Sequence, residues 1–155
     1  LVKRIKILIG IILLFVAGFL REFIFESVNA KISALKLTDG NSQYELTSFL
    51  TGLNSWSPSS LYGLKFFLTF LFAFLFLALS LFLVKTIFRE KEYLKITALF
   101  FGAIFALSFL IYGLGYLLGI PNKGYTISRY IIEFIESPLA VFFLLPALHL
   151  YRKNT

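Results

Sequence analysis

The sequence contains no cysteine. That excludes a disulfide framework, a thiolate metal site and a cysteine nucleophile together, and it leaves the redox compartment unmarked. Histidine occurs once, at His149, and one imidazole without a Cys or carboxylate beside it does not hold a metal. Acidic residues are few, eight against fifteen Lys and Arg. Methionine is absent even at position 1, and the opening Leu fits a fragment, a trimmed initiator or an alternative start codon alike. There is no glycine-rich phosphate loop, no HExxH and no GxSxG. No cofactor is implied, and an enzyme is not expected.

What is present is apolar side chain in quantity. The 155 residues are 59% hydrophobic with a mean hydropathy of +0.87. A soluble domain lies nearer ~45 to 50%, so the expected fold class is a single all-α membrane domain, 1–155, with the lipid bilayer as its partner. The net charge of +7 does not point to nucleic acid, because the basic residues flank apolar runs instead of forming a patch interleaved with aromatics.

Four transmembrane helices are expected, over about 5–25, 58–88, 93–118 and 127–151. The first follows a basic opening (Lys3, Arg4, Lys6) and runs apolar from Ile7 to Leu20. A signal peptide is the rival reading, since Ala17 and Gly18 resemble a cleavage region. The stretch REFIFE argues against it by continuing the apolar pattern past Arg21 and Glu22 to Phe25. Ser57-Pro58 is a helix start, and Gly119 with Pro121 just after it is a helix end. Asn122-Lys123-Gly124 reads as a turn, with the fourth helix opening near Thr126 or Ser128. On the third helix Ala98, Gly102 and Ala106 recur every four residues, and Gly115 with Gly119 makes a GxxxG; core packing is the expected use of these small residues.

The external segment 26–57 is the one long hydrophilic stretch. Val28, Ile32 and Leu35, then Leu46, Phe49, Leu50 and Leu53, fall at helical spacing, which predicts two short interfacial helices separated by a turn over TDGNSQ. Trp56 is placed as an interfacial anchor, and a connector lying on the surface is the simplest reading. Orientation follows from the cations. The N-terminus, the second connection and the tail hold nine Lys and Arg, and the other side holds six. Positive residues are retained in the cytoplasm, so both termini are expected there, in a multi-pass membrane protein.

Polar residues inside the spans are the candidate site. Arg129, Glu133 and Glu136 share one helix face, and Pro138 and Pro146 each remove a backbone donor below them. Arg21 lies fourteen residues beyond Ile7, and Glu136 fourteen before Leu150. At 1.5 Å per residue both lie about 21 Å from the inner boundary, which predicts a pair between the first and last helices. Arg129, Glu133 and Glu22 extend it into a candidate intramembrane polar network. Glu133 and Glu136 are close enough for acid–base work, but no nucleophile stands near them, and His149 is a helix length away. Tyr112, Tyr116, Tyr125 and Tyr130 read as an aromatic belt.

Two stretches carry a family likeness. REFIFE closing the first helix, and RYIIEFIESPLAVFFLLPA followed by a short basic tail, resemble the small membrane proteins encoded beside exosortases in Bacteroidetes, of the exosortase X or exosortase F type. The resemblance covers the first and last helices, and the middle only in hydropathy. It implies a non-catalytic accessory protein in the sorting or anchoring of surface proteins, with an exosortase or its cargo as partner. Exosortases themselves rely on a Cys, which this chain lacks. Two other readings stay open: a small transporter or proton-relay subunit, and a structural four-helix membrane protein.

Overall fold

The computed structural model describes residues 1–37, 45–46, 48–88 and 90–154. Among them the chain is helical without strands: α1 (Val2–Leu37), a 3-10 helix (Ser48–Leu53), α2 (Pro58–Phe88), α3 (Lys91–Leu117), α4 (Pro121–Ile135) and α5 (Pro138–Asn154). Three helices, α1 to α3, are long and apolar enough to cross a membrane. Counting the bent pair α4 and α5 as one broken span brings the number to four.

The first helix is longer than the sequence reading has it. Its 36 residues reach about 54 Å, and even a tilt of ~40° leaves it well over the ~30 Å of hydrocarbon. The amphipathic run Val28, Ile32, Leu35 is therefore the C-terminal end of α1, not a separate helix. Nothing between Phe25 and Leu37 breaks a helix, and extending an existing one costs less than nucleating another. The second expected interfacial helix is only the six-residue 3-10 turn Ser48–Leu53. The TDGNSQ turn lies outside the described residues.

Contacts divide the chain into two compact units, one made of Leu1–Gly18 with Ala73–Thr155, the other of Phe19–Phe72. In the second unit Val28, Ile32, Leu35 and Leu61 are buried together, with Ile24, Leu53 and Leu64 packed around them. Ser57 opens α2 as expected, its Oγ accepting from the Ser60 N–H at 3.3 Å. Asn54 Oδ1 accepts from the Leu46 N–H at 2.8 Å and ties the 3-10 segment to the strand of chain before it. Tyr62 has Lys36 Nζ at 5.2 Å and Lys65 Nζ at 5.8 Å from its ring centre, the geometry of cation–π contacts.

In the first unit the two termini and the α2–α3 connection share one end. Lys3 Nζ donates to the Ile87 carbonyl at 3.1 Å, meeting one of the orphan carbonyls of α2's last turn. Tyr151 Oη donates to Glu92 Oε1 at 3.1 Å, and the Tyr93 ring lies between Phe88 (4.8 Å) and Tyr151 (6.4 Å). Gly10 takes Leu83 against its backbone, and Gly18 takes Pro138, where an added Cβ would stand 3.3 Å from the proline Cδ. With Phe15 and Phe142 at 5.9 Å, α1 and α5 are neighbours.

The α3–α4 hairpin is the tightest packing in that unit. Gly119, at φ +71°, closes α3: the Ile120 N–H reaches the Gly115 carbonyl (2.9 Å) and the Gly119 N–H reaches Tyr116 (3.2 Å), the paired bonds of a Schellman end. Pro121 then starts α4 at once, so Gly124 is inside a helix and not in a turn. A Cβ on Gly115 would lie 2.5 Å from the Gly124 Cα, so the two backbones touch. Two turns back along α3 and one turn on along α4, Ser108 Oγ donates to the Ser128 carbonyl at 2.8 Å. Small residues do pack the core, as expected of Gly115, but the repeat Ala98, Gly102, Ala106 is exposed, with open space beside Gly102.

Candidate functional site

The last span expected from the sequence is not one straight helix. It bends by 62° between α4 and α5. Proline removes the N–H that would bond the carbonyl four residues earlier, and its ring crowds that carbonyl. For Pro138 the carbonyl is that of Phe134, and Ser137 Oγ takes it over with a 2.7 Å bond. Ser137, preceding a proline, is disfavoured in the helical region, so the chain turns there and resumes at Pro138. Pro146 deprives the Phe142 carbonyl in the same way, but no hydroxyl precedes it, and α5 runs through.

Glu136 is the residue at this break. It caps α4, with its N–H on the Ile132 carbonyl at 3.0 Å, and it is 1% exposed. The carbonyl end of α4 disfavours a carboxylate there, whereas the N-terminus of α5 immediately following favours it. The register of the α3–α4 hairpin gives its level along α3. Ser128 stands opposite Ser108, and eight residues further along each helix of the hairpin Glu136 comes level with about Phe100, some ~14 Å along α3 from Lys91.

Arg129 and Glu133 form a pair one helical turn apart, Nε to Oε1 at 2.7 Å, with side chains 41% and 28% exposed. The expected single stripe therefore divides: the pair is half-exposed on α4, and Glu136 is enclosed at the bend. In the other unit Arg21 is buried to 7%, places its guanidinium 4.9 Å from the Phe25 ring centre and has Glu22 at 3.4 Å. Glu22 itself is largely exposed. Each unit by itself thus holds one local ion pair of the five-residue set.

Sequence reading missed three polar features. Lys31 is buried to 3%, on the face of Val28 and Leu35, a placement its spacing from them contains. Ser108 and Ser128 are buried and joined across the hairpin, their hydroxyls 3.0 Å apart. Sequence offers no signal for them beyond small polar residues in apolar helices. Buried Ser80 and Thr97 only bond back to their own helices, on Phe76 and Tyr93. The four tyrosines are exposed at the α3–α4 turn end, where a belt would be. His149 is exposed on α5, and no cluster of metal-ligating side chains occurs among the described residues.

A set of long apolar helices of this kind belongs to an all-α membrane protein. The chain matches no family model, no curated protein and no solved structure.

Proposed function

We propose that the chain is a non-catalytic accessory membrane protein of an exosortase-type sorting or anchoring system, with four spans, both termini cytoplasmic and 26–57 facing outward. The reading rests on the resemblance carried by REFIFE and RYIIEFIESPLAVFFLLPA. One observation gives it weight: the second of these stretches coincides with the α4–α5 break, and its Glu136 is enclosed there. Residues that shape a broken span suit a protein that presents a surface to a membrane partner. The test is co-purification from the native membrane. An exosortase retained by the tagged chain, and no peptide cleavage or transfer by the chain alone, is the expected result; transfer by the purified chain would overturn the accessory role. A reporter fused after Asn154 should be active in its cytoplasmic form and one inserted within 39–41 in its external form, and the reverse pattern would overturn the orientation.

The same break favours a second reading. Discontinuous helices with an ionisable group at the interruption are how many transporters build ion and proton sites. A small transporter or proton-relay subunit would show pH-driven flux in liposomes containing this protein alone, lost in Glu136→Gln. Absence of flux leaves the accessory role.

A further inference from the structure

We infer that a groove between α2 and α3, at the end of the first unit that also holds both termini, is a binding site for an anionic phospholipid. The groove has a volume of about 500 Å³ and is open to the side. Ala78 on α2 and Ala98 on α3 leave the recess, and Phe82 and Leu94 flank it. Its floor and walls are hydrocarbon, which suits an acyl chain and no polar metabolite. Two charged residues also line it, Lys85 in the last turn of α2 and Lys95 in the second turn of α3. Both are exposed, and neither has an ion pair or hydrogen bond to a described residue.

Charge decides the occupant. Lysine stems lie along apolar surface while the ammonium groups seek the headgroup level, and here two of them converge on the mouth of one apolar groove. The acidic residues described at this end are Glu90, at the start of α3, and Glu92, which accepts the Tyr151 hydroxyl. The groove therefore keeps two uncompensated positive charges. A zwitterionic headgroup would set its own ammonium or choline against them. A phosphodiester with no cation of its own, as in phosphatidylglycerol, is matched, and basic pockets between membrane helices select such lipids. The flanking apolar surface distinguishes this from a diffuse attraction between basic loops and an anionic leaflet.

Native mass spectrometry of the full-length protein, released from detergent after equilibration with equimolar phosphatidylglycerol and phosphatidylcholine, reads the preference directly. The intact chain should retain phosphatidylglycerol by about thirtyfold over phosphatidylcholine, in line with two juxtamembrane lysines. The double substitution Lys85→Ala with Lys95→Ala should bring the ratio near parity, and Lys91→Ala, outside the groove, should leave it unchanged. Ala98→Trp fills the recess but keeps both lysines; it should abolish retention of phosphatidylglycerol. Excess inorganic phosphate should not displace the lipid. A wild-type ratio near one, a preference that survives the double substitution or Ala98→Trp, or displacement by phosphate would each overturn the site, the last two by reducing it to surface charge.

Discussion

Pro121 and Pro138 each open a helix just after another has ended, yet the chain reverses at the first and only bends at the second. Ahead of Pro121 stands Gly119, whose positive φ lets the last carbonyls of α3 be met within a tight turn. The two helices then close on Gly115 and Gly124 with nothing between their backbones. Ahead of Pro138 stand Glu136 and Ser137, neither in a left-handed conformation. The serine hydroxyl satisfies the one carbonyl the proline orphans, and a 62° bend results. A proline marks an interruption; the residues before it decide the geometry. One interruption makes a rigid hairpin. The other leaves an enclosed carboxylate at the bend.

The hairpin is the easier of the two to break. Gly124→Leu puts a side chain where the Gly115 Cα lies 2.7 Å from even a Cβ. Separation of the helices follows, with a loss of about 3 kcal/mol or more, since neither backbone yields cheaply. Unfolding in a mild detergent, followed by helical signal against denaturant, should show it as the largest drop in this set.

At the bend the expected effects come from charge. Arg21 and Glu136 are each buried within their own unit, so Arg21→Glu and Glu136→Arg should each destabilise by ~2.5 to 3.5 kcal/mol, the scale of an unmatched charge in hydrocarbon. No loss in the same unfolding measurement would contradict their burial. Smaller still is the contribution of the hydroxyl link in the hairpin. Ser108→Ala should cost about 0.6 kcal/mol, the usual scale of a hydrogen bond between membrane helices, and with Ser128→Ala the costs should be less than additive. Equality of the serine and glycine effects would contradict the view that close backbone approach, and not polar bonding, holds α3 to α4.

The hairpin and the bend also differ in how far sequence announces them. Gly119 followed by Pro121 is a readable helix end, and Ser57-Pro58 a readable start, because each needs only local chemistry. The range 58–88 for the second helix is the range observed. Gly124 misleads, since its turn propensity is local and its use is tertiary: it admits the α3 backbone. Val28, Ile32 and Leu35 have the periodicity of a buried face, but periodicity does not say whether a helix is new or continued. Glu133 and Glu136 are spaced for one face; their separation into a half-exposed pair and an enclosed carboxylate depends on a bend whose angle no local pattern encodes. For the segment 26–57, the burial of Leu46 and Leu50 comes from packing in the second unit, where sequence supplies only amphipathic spacing.

The central claim, that the helical stretch 121–154 is broken at Ser137 with Glu136 in the break, is open to a direct distance measurement. The chain has no native cysteine, so spin labels at Thr126→Cys and His149→Cys, both exposed positions, report on α4 and α5 alone. With a 62° bend the backbone separation of these positions is about 30 Å, against about 35 Å for a continuous helix. Pulsed electron–electron resonance in lipid bilayers should give the shorter distance for the native sequence and a shift towards the longer one in Pro138→Ala. A native distance equal to that of a straight helix, unchanged by the proline substitution, would contradict the account.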